Sequence, residues 1–364
     1  MKQSRLHDHH AKLKATFEDI TDWQVPVLYG DMLREYRAVR EGVGIADLSH
    51  RGKLRVSGED RVKWLQSVIS NDLLSLQAGQ GRYSSLLTHK GKMLTYFRCY
   101  MQTDAVLLED VGDIGDQTYA ALRKFLLYGT KAKMENCRES WGLLLVSGPK
   151  AAAVVKAAFG TDVDDLKPVN FITAAIGGQT GLVIRAEETG ERDYEILIPA
   201  DGLVAAWERL LEAGEAHAIM PVGSRALEAL RMEAGIPKAG PDLNEEIVPP
   251  EANLEGKAFS LSKGCYPGQE VVARMDTYGS VRRHLVGLVV TGPTAPPKGA
   301  KLFSGTREVG WVSSAAFSPE LKAPIAFGFP LRDFSAAGTA LSIAADGERY
   351  EATVQPLPFR APSS

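Results

Sequence analysis

The chain has 364 residues, of which 45% are hydrophobic and 24% charged, and 42 basic against 45 acidic side chains give a net charge of −3. That length exceeds one ordinary core, so two or three domains are expected, and the near-neutral balance excludes the electrostatic footprint of a duplex nucleic-acid binder. Cys99, Cys137 and Cys265 lie far apart with no C-x-x-C. This argues against a disulfide framework or a zinc ribbon and fits a reducing compartment.

The first twenty residues carry no apolar signal-peptide core, and no run is long enough to span a membrane. A cytoplasmic, membrane-free monomer is expected. "HDHH" at 7–10 could hold a metal, but near a terminus it reads as a solvated tail, and no metal site is assigned. "GDMLREYRAVREGVG" predicts a short helix closed by Gly42 or Gly44. In "LRVSGEDRVKWLQSVISND" a strand ends at Ser57, a candidate N-cap. Asp60 suits the first turn, and Val62, Leu65, Val68 and Ile69 share one face. "RYSSLLTHKGKMLTYFRCYMQ" predicts two strands joined at Lys90–Gly91–Lys92. "AVLLED" is a third strand, and "IGDQTYAALRKFLLYG" a helix ending at Gly129.

The pattern then repeats. "WGLLLVSGP" predicts a strand and "KAAAVVKAAFG" a helix ended by Gly160. "GLVIRAEETGERDYEILIP" predicts a hairpin turning at Thr189–Gly190–Glu191. Helices follow in "ADGLVAAWERLLEAG" and "VGSRALEALRMEAGIP", the latter with Ser224 as N-cap and Gly235 at C′. Residues 237–256 read as a long loop, the kind that carries function or links domains. From 281 the texture becomes short strands between Gly, Pro and Ser turns, which predicts a small β-barrel. The fold class is α+β. Residues 1–280 form two interleaved lobes with a break near 138–142, and residues 281–364 form the barrel module.

There is no P-loop, dinucleotide fingerprint, H-E-x-x-H or G-x-S-x-G. The stretch "SKGCYPGQEVVAR" is more distinctive. Gly264 and Gly268 permit tight turns, and Lys263 would favour a thiolate at Cys265. Such a thiol could attack an electrophile or bind a soft metal; a structural cysteine in a glycine-shaped turn is the alternative.

"KGCYPGQE", "LRMEAG", "PPEANL" and "VGWVSSAAFSP" together resemble the superfamily of the glycine-cleavage T-protein, over most of the chain. The cysteine element is most similar to its YgfZ-type branch, folate-binding proteins that assist iron–sulfur cluster maturation. The resemblance implies a three-lobed cloverleaf around a tetrahydrofolate (or one-carbon derivative) channel, with Cys265 at its mouth. It also implies iron–sulfur client or assembly proteins as partners. It assigns Glu195 to the pterin, with Tyr194 beside it, and matches Asn71, Glu233 and Glu251 to positions near the folate; the last two could equally be capping carboxylates. It also places Thr95 and Tyr96 where T-proteins carry the aspartates needed for methylene transfer, and Leu227 where they carry an arginine. Neither Thr95 nor Tyr96 supplies a carboxylate. The favoured expectation is therefore a folate-binding accessory factor in iron–sulfur assembly or repair. A folate-dependent aminomethyltransferase or demethylase is the alternative, and an interaction module without folate the third.

Overall fold

The computed structural model describes residues 1–278, 281–345 and 347–361. A small sheet opens the chain: β1 (Lys2–Gln3), β2 (Thr16–Ile20) and β3 (Trp23–Leu28), with α1 (His7–Lys12) inserted between β1 and β2. This corrects the solvated-tail reading of "HDHH". His10 is fully buried, with Nε2 3.1 Å from Asp47 Oδ2 and Nδ1 2.8 Å from the Tyr29 hydroxyl. Then come α2 (Met32–Glu41), β4 (Gly44–Asp47), β5 (Lys53–Ser57) and α3 (Arg61–Val68). Asp31 caps α2 by accepting from the Leu33 and Arg34 amides. Ser57 does not cap α3; the cap residue is Asp60, whose carboxylate instead accepts from the Lys131 amide.

β6 (Gly81–Leu87), β7 (Met93–Met101) and β8 (Ala105–Asp110) follow as the alternation predicts. α4 (Gln117–Arg123) is shorter than expected: "FLLYG" leaves the helix, with Leu127 and Tyr128 exposed. The second set is β9 (Lys133–Asn136), β10 (Trp141–Ser147), α5 (Ala151–Phe159), β11 (Phe171–Ile176), β12 (Gln179–Ala186), β13 (Asp193–Pro199), α6 (Leu203–Gly214), β14 (Met220–Pro221) and α7 (Ser224–Glu233). Gly223, not Ser224, is the N-cap of α7, while Gly235 takes the left-handed conformation just past its end. α8 (Gln269–Tyr278) grows directly out of the cysteine element. The last strands are β15 (Val286–Val290), β16 (Lys301–Ser304), β17 (Arg307–Ser318), β18 (Ala323–Gly328), β19 (Ala340–Ala345) and β20 (Glu348–Gln355).

The fold is α+β. One sheet runs β6-β7-β8-β5-β9 and another β11-β12-β13-β10-β4-β14, so β4, from the first half, joins the second sheet. The two sheets change over between Asn136 and Trp141. β15-β18-β17-β16-β19-β20 close into a six-stranded barrel, sealed by β15 pairing with β20. Residue 280, at the expected junction with the barrel, lies outside the described residues.

Alternation decides which side chains meet. On β7, Phe97 and Cys99 enter the core under α3, whereas Tyr96 and Tyr100 enter a central core. On β13, Tyr194, Ile196 and Ile198 pack with α5 and α6, and Leu197 faces the centre. That central core also takes Phe327 and Phe329 from the barrel and Tyr266 from the cysteine element.

Candidate functional site

At the meeting of the two sheets, the 237–256 loop and the barrel lies a cavity of about 360 Å³. Its wall includes Tyr83 and Tyr96, whose rings stack with centroids 5.5 Å apart and planes 12° from parallel. Arg185, Glu187 and Asp193 come from the β12–β13 hairpin, and Lys257 from beyond the loop. Leu357 and Pro358, past the last barrel strand, complete the wall, and Arg360 ties that segment down through Glu191 at 2.5 Å.

Beneath these tyrosines sits a buried charge cluster. Arg98 Nη2 donates to Glu188 at 2.6 Å, Glu195 at 3.0 Å and Glu109 at 3.1 Å. Arg51 Nη2 donates to Glu188 at 2.8 Å, and the Tyr100 hydroxyl donates to Glu109 at 2.9 Å. Burial pushes the Glu195 carboxyl well above the usual range, with Arg98 opposing it and Glu109 adding to it. Burial also raises Glu188, but Arg51 and Arg98 outweigh it and hold that group at about 2. One oxygen of Glu195, and Nε and Nη1 of both arginines, have no hydrogen-bond partner, although Arg51 Nη1 lies 3.7 Å from the other Glu195 oxygen. Buried polar atoms are normally satisfied, so open ones mark a place where a ligand or water completes the set.

The expected site residues separate. Glu195 belongs to the cluster. Tyr194 does not: one residue along a strand reverses the face, and its hydroxyl donates to the Val163 carbonyl in the outer core. Tyr96 lines the cavity; Thr95 is not among the lining residues, and its hydroxyl is buried without a partner. Asn71 is buried, its amide donating to the carbonyls of Tyr83 and Lys257 at 2.9 Å each, so it clamps β6 to the segment just past the 237–256 loop. Glu233 accepts from Tyr36 at 2.6 Å, from Ser318 at 2.5 Å and from Arg40, which makes it a strut between α2, α7 and β17. Glu251 accepts from the Val248 amide at 3.1 Å and is a capping carboxylate. Leu227 packs against the central core.

Cys265 is exposed and is not among the cavity-lining residues, contrary to its expected place at the channel mouth. Lys263 does not serve it as a counter-ion. Its ammonium turns inward onto the carbonyls of Gln66 at 2.6 Å, Ile69 at 2.5 Å and Asn71 at 3.2 Å, the acceptor-rich end of α3. Burial lowers it to about 8. Tyr266 is buried, and Gly268, at φ +79°, presses on Gly91; an added Cβ would meet the Thr88 carbonyl at 2.4 Å. The thiol therefore stands outward on a loop anchored on both sides.

A GCVT N-terminal domain profile matches residues 6–261, and a glycine cleavage T-protein C-terminal barrel domain profile matches residues 283–360. The chain belongs to the glycine cleavage T-protein family. It is 31% identical to an aminomethyltransferase of Chlorobium luteolum, over 99% of this chain and 98% of that protein. To the aminomethyltransferase of Bacillus subtilis it is 29% identical, over 99% of each. The crystal structure of the glycine cleavage system aminomethyltransferase T from Bartonella henselae superposes with a TM-score of 0.90 at 26% identity, covering 99% of this chain and 98% of that one. Aminomethyltransferases of this family use tetrahydrofolate. The site suits that group. The stacked tyrosines offer a face to a flat heterocycle; Glu195, fully buried beneath them and not among the cavity-lining residues, keeps one oxygen without a hydrogen-bond partner.

Arg98, Glu109, Glu188, Arg51 and Lys257 were not singled out from sequence. Arg98 in "YFRCYM" and Glu109 in "AVLLED" are charges inside apolar strands, a signal that pairing is required.

Proposed function

We propose that this protein binds tetrahydrofolate between Tyr83, Tyr96 and Glu195 and acts as an accessory factor in iron–sulfur cluster assembly or repair, with Cys265 as its functional thiol. The observation that carries this is the exposed Cys265 between a buried Lys263 and a buried Tyr266. Burying both flanks fixes the loop and leaves sulfur as the group presented to a partner. One thiolate is a fraction of the four that usually hold a cluster, so it acts together with ligands on a client. At the positions matched to the family's aspartates, Tyr96 gives the cavity a neutral ring and Thr95 a buried hydroxyl. The Cys265→Ser protein should keep its tetrahydrofolate affinity while cells carrying it lose activity of cluster-dependent enzymes. Wild-type enzyme activities in such cells would refute the thiol's role.

A second reading is an aminomethyltransferase or demethylase, favoured by the full-length similarity to aminomethyltransferases. Methylene-tetrahydrofolate formation from an aminomethyl donor, assayed with purified protein, separates the two. Clear turnover would establish the transferase.

A further inference from the structure

Among the described residues, the two most exposed large apolar side chains are neighbours in the chain: Leu127 is 72% exposed and Tyr128 fully so. They sit on the tip of a turn just past α4. The Thr130 amide closes it by donating to the Leu127 carbonyl at 3.2 Å, and Gly129 takes the left-handed region at φ +88°. The base of this tip is fixed. Phe125 and Leu126 pack against the core under α3, Trp64 Nε1 donates to the Phe125 carbonyl at 3.0 Å, and the Lys131 amide donates to Asp60 at 2.8 Å. An apolar pair held out in water adds no burial to the fold.

Around the tip the charge has one sign. From Gln117 to Met134 the chain carries Arg123, Lys124, Lys131 and Lys133 and no carboxylate, and all four cations are exposed. Lys131 meets Glu59 at 2.8 Å and Lys133 meets Glu135 at 2.6 Å in solvated pairs, which are weak. Arg123 and Lys124 have no ion pair among the described residues. An apolar wedge with cations on both chain flanks fits an anionic partner. A stable protein interface needs about 800 Å² from each side, far more than two side chains on a convex turn present. A lipid surface instead deforms around such a wedge. We propose that the Leu127–Tyr128 tip is a peripheral, reversible docking site for an anionic phospholipid surface. Leu127 enters the acyl boundary, the Tyr128 ring takes the interfacial level that suits an aromatic with a polar end, and the cations meet phosphate headgroups. No helix among the described residues is long and apolar enough to cross a membrane, so the tip, rather than a helical span, makes the contact.

The test sediments the full chain with vesicles of phosphatidylcholine alone or with about one-third phosphatidylglycerol. At low salt, wild type should bind the anionic vesicles roughly tenfold more tightly than the neutral ones, and high salt should remove most of that preference. The Leu127→Ser, Tyr128→Ser double variant should lose roughly tenfold in affinity for anionic vesicles at an unchanged urea midpoint, because neither side chain is buried. Arg123→Glu combined with Lys124→Glu should leave only the binding seen with neutral vesicles. Wild type that ignores phosphatidylglycerol vesicles would overturn the lipid assignment and turn the tip toward an acidic protein surface. Binding undiminished in the Leu127→Ser, Tyr128→Ser variant would overturn it as well, by placing the contact elsewhere on the chain.

Discussion

Arg98 and Glu195 meet at 3.0 Å with neither side chain exposed to solvent, and the same guanidinium nitrogen also serves Glu109 and Glu188. A cation facing three buried carboxylates is costly to remove, because the survivors keep their desolvation with only Arg51 left to offset it. Arg98→Met should lower stability near neutral pH by about 3–5 kcal/mol, the range for breaking a buried pair from one side. Part of the loss should return as pH falls and the carboxyls protonate. Urea unfolding at two pH values checks this, and a variant within about 1 kcal/mol of wild type would contradict it.

Glu195→Gln tests the ligand contact. Glutamine keeps an oxygen for Arg98 but replaces the other acceptor with a donor, which opposes the pterin's N–H edge. Tetrahydrofolate affinity should fall about 10- to 100-fold, the equivalent of one buried hydrogen bond replaced by two facing donors. Urea midpoints should move far less. Tryptophan quenching measures the first, and an unchanged affinity would place the pterin elsewhere.

Thiol accessibility separates the three cysteines. Cys99 and Cys137 are buried, and burial pushes both thiols up, whereas Cys265 is exposed. A disulfide-exchange reagent should titrate one thiol rapidly in the native protein and three after denaturation. Cys265→Ser should remove the fast phase alone.

Asp110 should shape the pH dependence of stability. Burial, with Glu109 adding, pushes its carboxyl up to about 7 from 3.8, against the Thr118 hydrogen bond and Lys53. Between those values the folded protein keeps a proton that the unfolded chain has lost. Its contribution is therefore complete below 3.8 and is lost as pH rises through about 7. Asp110→Asn should flatten that slope and, above neutral pH, exceed wild type by about 2 kcal/mol, part of the ~4 kcal/mol that three pH units represent. Denaturant melts at several pH values would show it, and an unchanged slope would assign the dependence to other groups.

The strands and the barrel were legible because alternation and Gly/Pro punctuation are local signals. α8 was not, since "QEVVARMDTY" reads as the tail of a cysteine loop. Nor was α1, whose polar sequence conceals a histidine satisfied only by Asp47 and Tyr29. The period of two could have separated Glu195 from Tyr194 before any coordinates. The charge cluster was only half legible: Arg98 and Glu109 stand out within apolar strands. Arg51 meets Glu188 from 137 positions away, which no local pattern reports. The cysteine element stands out in the sequence, and the structure leaves its thiol exposed. The lysine before it acts on the end of α3, because an ammonium among free carbonyls satisfies more than one beside a solvated sulfur.

The segment around Leu357, Pro358 and Arg360 walls a cavity whose other sides are made long before it in the chain. A nascent polypeptide that has already delivered both sheets from the ribosome still has one side of that chamber open to solvent. Retention of a small molecule there is therefore favoured only once the last barrel strand has formed and set Leu357 and Pro358 against the two sheets.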